Sequence, residues 1–216
     1  MRSTSQSRWN DWKDPMPVDG ELRSELLAMA DEDQRVRAEL AADASLFEGY
    51  HPRMEEVHRR NGARLQEIIE RHGWPGRGIA GEDGAAAAWL VLQHAISMPS
   101  LQRMGLRLLK IESLHGEVDP AHVAMLEDRI RFFEGRPQVY GTQYDWDAQG
   151  EMSPSAVEDL EHVEERRKSV GLPPLAADTR RMRDALLKAG AEPPRDLEAR
   201  RAEQREWARS VGWLDP

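Results

Sequence analysis

From residue 22 onward, apolar positions recur at three- and four-residue steps or their multiples: Leu22, Leu26, Met29, Val36 and Leu40. That is the stripe of an amphipathic helix. Gly49 and Pro52 break it, and a second helix is predicted over residues 52–72, with Met54, Val57, Leu65, Ile68 and Ile69 inward. Gly73-Trp74-Pro75 is a stop signal, since glycine suits the left-handed residue after a helix and proline cannot continue one. The segment 82–97 is apolar nearly all round, with Ala85 to Leu92 as an unbroken run. A helix without a polar face needs protein on every side, so this one belongs at the centre. Pro99 opens a fourth helix over 100–114, with Leu101, Met104, Leu108 and Ile111 inward. Asp119-Pro120 supplies a cap and a first-turn proline for a fifth, running to about 134.

The period changes after Gly135. Tyr140, Thr142, Tyr144 and Trp146 nearly alternate ahead of the turn Asp147-Ala148-Gln149-Gly150, which predicts a small β-hairpin near residues 138–152. Ser153-Pro154 then opens a sixth helix ending near Gly171, and Pro173-Pro174 separate it from two tail helices over 176–189 and 195–210. In the tail, Leu197, Trp207 and Trp213 are available for docking. Residues 1–19 are polar and aperiodic and read as an arm that Trp9 and Trp12 could dock. The expectation is an all-α fold: a multi-helix bundle around a buried central helix with one small β-hairpin. Its parts are an arm (1–19), a helical core (20–172) and a helical extension (173–216).

Composition narrows the function by exclusion. The 216 residues carry 39 acidic and 30 basic side chains, a formal charge of −9. Nucleic acid and anionic membranes both demand a basic face, so neither is an expected partner. There is no cysteine, which removes disulfides, thiolate nucleophiles and cysteine-based metal centres. No apolar run approaches a membrane span and residues 1–19 lack a signal-peptide core, so a cytoplasmic protein is expected. The basic residues divide into 26 Arg and 4 Lys. That bias is common in GC-rich bacterial genomes, so arginine abundance by itself indicates no phosphate site. The glycine-rich stretch 76–84 lacks the Gly-Lys-Ser/Thr ending of a phosphate-cradling loop.

A set of short signatures runs through residues 22–172. It comprises Asp33-Gln34 with Arg37, Gly73-Trp74-Pro75, and Ala88-Trp89-Leu90 leading into Gln93-His94-Ala95. Gln102, Asp128-Arg129, and Gln138 with Tyr140-Gly141-Thr142-Gln143 complete it. In order and spacing it resembles an uncharacterised bacterial protein family. The resemblance implies a mostly helical domain and brings no reaction with it. Members often carry Asp two residues after the histidine, where this chain has Ile96, so no role is assigned to a carboxylate there.

His94 is the leading candidate for chemistry. It lies on the Ala87–Val91–His94–Met98 line of the central helix. A histidine in such a place is either a satisfied core group or a general acid/base whose pKa burial sets. Tyr140 is the candidate second catalytic group. Gln93, Gln138, Thr142 and Gln143 have the hydrogen-bonding character to orient a polar ligand, with Gln34 and Gln102 as further neutral groups. Arg37 and Arg129 could clamp a carboxylate or phosphate. With so many acids in the chain, salt bridging is the expected role for them and for Asp128, and Glu127-Asp128-Arg129 reads as a solvated face.

Four acid-x-x-His pairs (Glu55/His58, Glu112/His115, Asp119/His122 and Asp159/His162) raise the di-metal carboxylate bundle as a possibility. In that reading His115 shares the inward face of its helix, and His58 is less clearly inward. No metal ligand and no cofactor is assigned. Three readings follow. The first is a small helical enzyme or ligand-binding protein acting on a polar small molecule, with His94 as acid/base and a cavity beside the central helix. The second is a non-catalytic interaction module that binds a partner or, as a homodimer, a second copy of itself, with a satisfied polar core and Trp207 and Trp213 facing that partner. The third is a di-metal oxidase.

Overall fold

The computed structural model describes residues 18–42, 45–47 and 49–215; most of the predicted arm, with Trp9 and Trp12, lies outside them. Among the described residues eight α-helices follow one another: α1 (Gly20–Ala42), α2 (Pro52–His72), α3 (Arg77–His94), α4 (Pro99–Leu114), α5 (Pro120–Phe133), α6 (Val163–Ser169), α7 (Leu175–Lys188) and α8 (Leu197–Ser210). Two three-residue strands, β1 (Tyr144–Trp146) and β2 (Met152–Pro154), pair antiparallel with Asp145 opposite Ser153. The fold is all-α with one small hairpin.

The helix boundaries follow local chemistry. Pro52 and Pro120 occupy first-turn positions, where the missing N–H costs nothing. The Asp119 carboxylate accepts from Ala121 N at 2.9 Å, and His51 Nδ1 accepts from Arg53 N at 3.1 Å, so each cap satisfies an otherwise orphaned donor. Gly73 closes α2 at φ 76°, returning its N–H to Ile69 O. The central helix departs from expectation at both ends. It begins at Arg77 with a break at Gly81, whose φ of 73° no other residue type would adopt readily. It stops at His94 rather than at residue 97.

Helices α1, α2 and α3 pack against one another, and α4 links α3 to α5. Their shared core includes Leu26, Leu65, Ile68, Leu92, Leu109 and Leu126, all essentially inaccessible. As expected for an apolar helix, α3 buries residues around its circumference: Ala87, Ala88, Trp89, Val91 and Leu92. A satellite cluster of Val36, Leu40, Met54 and Val57 joins the end of α1 to the start of α2, with Leu46 and Tyr50 against it.

Two parts of the sequence reading need correction. The segment expected as one helix from Ser153 is instead β2, a 3-10 turn at Leu160–His162 and the seven-residue α6. Trp213, expected to be free for docking, is 4% exposed within the main core, and its Nε1 donates to Ile96 O at 2.7 Å. Trp207 stands edge-on to Tyr50 and packs on Phe133. The C-terminal helix therefore covers the bundle.

Candidate functional site

A row of polar residues breaks the apolar stripes where α1, α2 and the end of α3 meet. Asp33 occupies the inward line of α1 between Met29 and Val36 and is 1% exposed. His58 and Asn61 do the same on α2. One carboxylate oxygen, Asp33 Oδ2, lies 2.8 Å from His94 Nδ1 and 2.9 Å from His58 Nε2. The far nitrogen of His58, Nδ1, is 2.8 Å from the Tyr50 hydroxyl, and the two imidazoles stand 5.1 Å apart, centroid to centroid. The His94 contact is a hydrogen bond. The His58 contact is close enough for an ion pair, yet buried Nε2 makes no hydrogen bond of ordinary geometry.

Burial pushes the Asp33 carboxyl upward, but the close polar contacts and charges of His58 and His94 outweigh it and hold the group well below the usual carboxylate range. For His94 burial prevails: its pKa is lowered despite the opposing Asp33 hydrogen bond, and His58 and Arg129 add repulsion. The Tyr50 hydroxyl is pushed up, first by burial.

His94, His58 and Tyr50 border a cavity of about 630 Å³. Of the sequence candidates, Gln34, Arg37, His94, Arg129 and Gln143 meet on its wall. The other candidates lie behind or beside it. Gln102, fully buried, donates to Leu92 O and Gln93 O at 3.0 and 3.1 Å and so caps the end of α3. Gln93 contributes its carbonyl, which also accepts from Arg129 Nη1. Gln138, fully buried, binds the loop to itself through Gln143 N, Gln143 O and Ser155 O. Thr142 gives its N–H and hydroxyl to Asp128, and Tyr140 its N–H. Tyr140 does not border the cavity; the tyrosine that does is Tyr50.

Neither part of the charged expectation for Asp128 and Arg129 holds. Asp128 is fully buried and accepts from Val139 N, Tyr140 N, Thr142 N and Thr142 Oγ1 at 2.7–3.1 Å, fixing the 138–143 loop. Burial raises its pKa against those donors. Arg129 and Arg37 have no carboxylate within ion-pair distance among the described residues; Arg129 instead donates through Nε to Gln143 Oε1 at 3.2 Å. Desolvation lowers its pKa to about 10, which leaves it cationic at neutral pH.

The metal expectations also change. His115 has 66% of its side chain exposed, Ile111 is 52% exposed, and Asp159 and His162 are both exposed. Glu55 pairs with Arg59, while His58 is buried. The four acid–histidine pairs therefore do not converge on one centre. A different trio does: Asp33, His58 and His94 bring one oxygen and two nitrogens within 4.8 Å of one another. Asp33 and His58 were missed as site residues. The usable signal was a charged or titratable side chain inside an otherwise apolar helical stripe.

Comparison with known proteins places the chain by family. It belongs to a family of unknown function, DUF6624, whose model matches residues 20–190. The match runs past residue 172, where the signatures noted above end, and takes in α7. No curated protein and no solved structure matches the chain. No helix among the described residues is long and apolar enough to cross a membrane.

Proposed function

We propose that the protein is a small helical enzyme or ligand-binding protein acting on a polar small molecule, with His94 as general acid/base. One observation carries this reading: Asp33, buried behind His94, binds its Nδ1, while Nε2 has no hydrogen-bond partner among the described residues and the ring borders the cavity. A carboxylate on Nδ1 holds that nitrogen's proton and leaves the Nε2 lone pair facing the ligand space, the orientation a general base needs. Gln34, Arg37, Arg129 and Gln143 are the ligand-contacting set. Asp33 is a positioning residue. Gln93, Gln102, Gln138 and Thr142 hold the wall in place, and Tyr140 belongs to the loop. Trp207 and Trp213, on which the interaction-module reading relied, pack against the body.

The test is a screen of polar metabolites against wild type and His94→Gln, reading thermal shift for binding and mass spectrometry for turnover. A compound that raises the Tm of both proteins and is converted only by wild type supports the acid/base role. Equal conversion by His94→Gln would remove it.

A mononuclear metal centre is a second reading, favoured by the buried His58 Nε2 without a well-formed hydrogen bond. Two imidazoles and a carboxylate suit zinc, iron(II) or manganese. Metal content after dialysis against Zn²⁺ or Mn²⁺ decides it. Stoichiometric metal that His58→Gln loses establishes the centre, and full turnover by chelator-treated protein sets it aside.

A further inference from the structure

The chain is acidic, yet among the described residues the wall of this cavity carries Arg37, Arg129, His51, His58 and His94 and neither an aspartate nor a glutamate. Asp33 lies behind the wall with its charge shared between two histidines. The arginines are unusual for their helices. Arg23 and Arg35 on α1, and Arg131 on α5, each have a carboxylate partner. Arg37 and Arg129, on the same two helices, have none among the described residues. Arg37 is exposed but Arg129 is half-buried, and a half-buried guanidinium without a counter-ion is costly in a protein with acids to spare; an anionic ligand would offset that cost.

We infer that the cavity binds its ligand through a phosphate monoester group held between Arg129 and Arg37; this rests on the reading of the cavity as a ligand site. The geometry favours phosphate over carboxylate. Arg129 has committed Nε to Gln143 and one Nη1 hydrogen to the Gln93 carbonyl, so its side-on Nε/Nη2 fork is closed to a planar carboxylate. The donors that remain come from separate elements: Arg129 Nη2 on α5 and Arg37 on α1. Donors converging from different directions match a tetrahedral dianion.

Titration with inorganic phosphate, a simple alkyl phosphate and acetate, at constant ionic strength and followed by calorimetry, tests this. Both phosphates should bind saturably and acetate should not. Arg37→Gln, which breaks no contact among the described residues, should weaken phosphate binding about tenfold or more, the usual scale for a charge-assisted hydrogen bond. Arg129→Gln should do the same, with circular dichroism checking the fold because Arg129 also caps α3. Arg107→Gln, exposed on α4 away from the cavity, controls for net charge and should bind as wild type does. Acetate binding as tight as phosphate, or phosphate binding indifferent to Arg37 and Arg129, overturns the inference. The two claims fail separately. A neutral metabolite converted by wild type and not by His94→Gln would sink the phosphate inference and keep the acid/base role. Arginine-dependent phosphate binding with conversion unaffected by His94→Gln would do the reverse.

Discussion

Asp33 is one carboxylate serving two imidazoles, and its removal should be felt in stability as well as in chemistry. Asp33→Asn keeps the shape and deletes the charge, which should cost about 1.5–3 kcal/mol in urea titration, the range for hydrogen bonds to charged groups; an unchanged midpoint would mean the cluster holds nothing together. The same residues give a pH dependence. The folded pKa of His94 is lowered, so between that value and the ~6.5 of an unfolded histidine the unfolded state binds more protons. Stability therefore falls as pH drops below about 6.5. His122, lowered by burial where it stacks on Trp89, acts in the same direction. Asp33 extends the loss, because a lowered carboxyl contributes stability above about 3.9 that disappears on further acidification. Asp128, with its raised pKa, opposes the Asp33 contribution on acidification, so the window that reads His94 lies just below the ordinary histidine pKa of about 6.5. Unfolding free energies across that window should decline for wild type and decline less for His94→Gln; parallel slopes would contradict the assignment.

Between elements, close approach and buried ion pairing set the geometry that the cavity depends on. Helix α4 meets α3 at Gly105, where an added Cβ would lie 2.7 Å from Leu92 Cδ2. Gly105→Ala should destabilise by about 1–3 kcal/mol through overpacking, although alanine is the better helix former. A gain in Tm would show that the two helices can slide apart. The 138–143 loop is pinned from the other side by Arg167, which is fully buried. It donates to Tyr140 O and Pro173 O at 2.7 Å each and pairs with Asp178 on α7 at 2.9 Å. Removing one partner leaves the other charge buried, so Asp178→Ala should lose about 3–5 kcal/mol. If the 138–143 loop positions Gln143, Asp178→Ala should also weaken ligand binding, measurable as a smaller thermal shift. These contacts were invisible in the sequence because they join different elements whose relative placement periodicity does not fix. Arg167 in particular reads there as one of a run of charged surface residues.

For the whole molecule, the C-terminal helix is the piece whose role changed most. Ala208 and Trp213 belong to the same core as α1 and α3, and Trp207 backs the tyrosine that holds His58. Calorimetric unfolding should therefore show one cooperative transition. Trp213→Ala should lower stability by about 3–5 kcal/mol, and a separate low-temperature transition would mean that the extension folds independently. By itself the sequence determined the class of fold, the order of the helices, the caps at Gly73 and Asp119 and the central place of α3. These follow from periodicity and from backbone chemistry local to a few residues. It also marked His94, Gln34, Arg37, Arg129 and Gln143, which the structure brings to one wall. Only the tertiary structure decided that Asp33 and His58 stand behind that wall, that Asp128 is buried, that Tyr50 rather than Tyr140 faces the cavity, and that the tail is core. Each of those depends on which helical faces meet. A stripe pattern shows that a face is buried without showing what it is buried against.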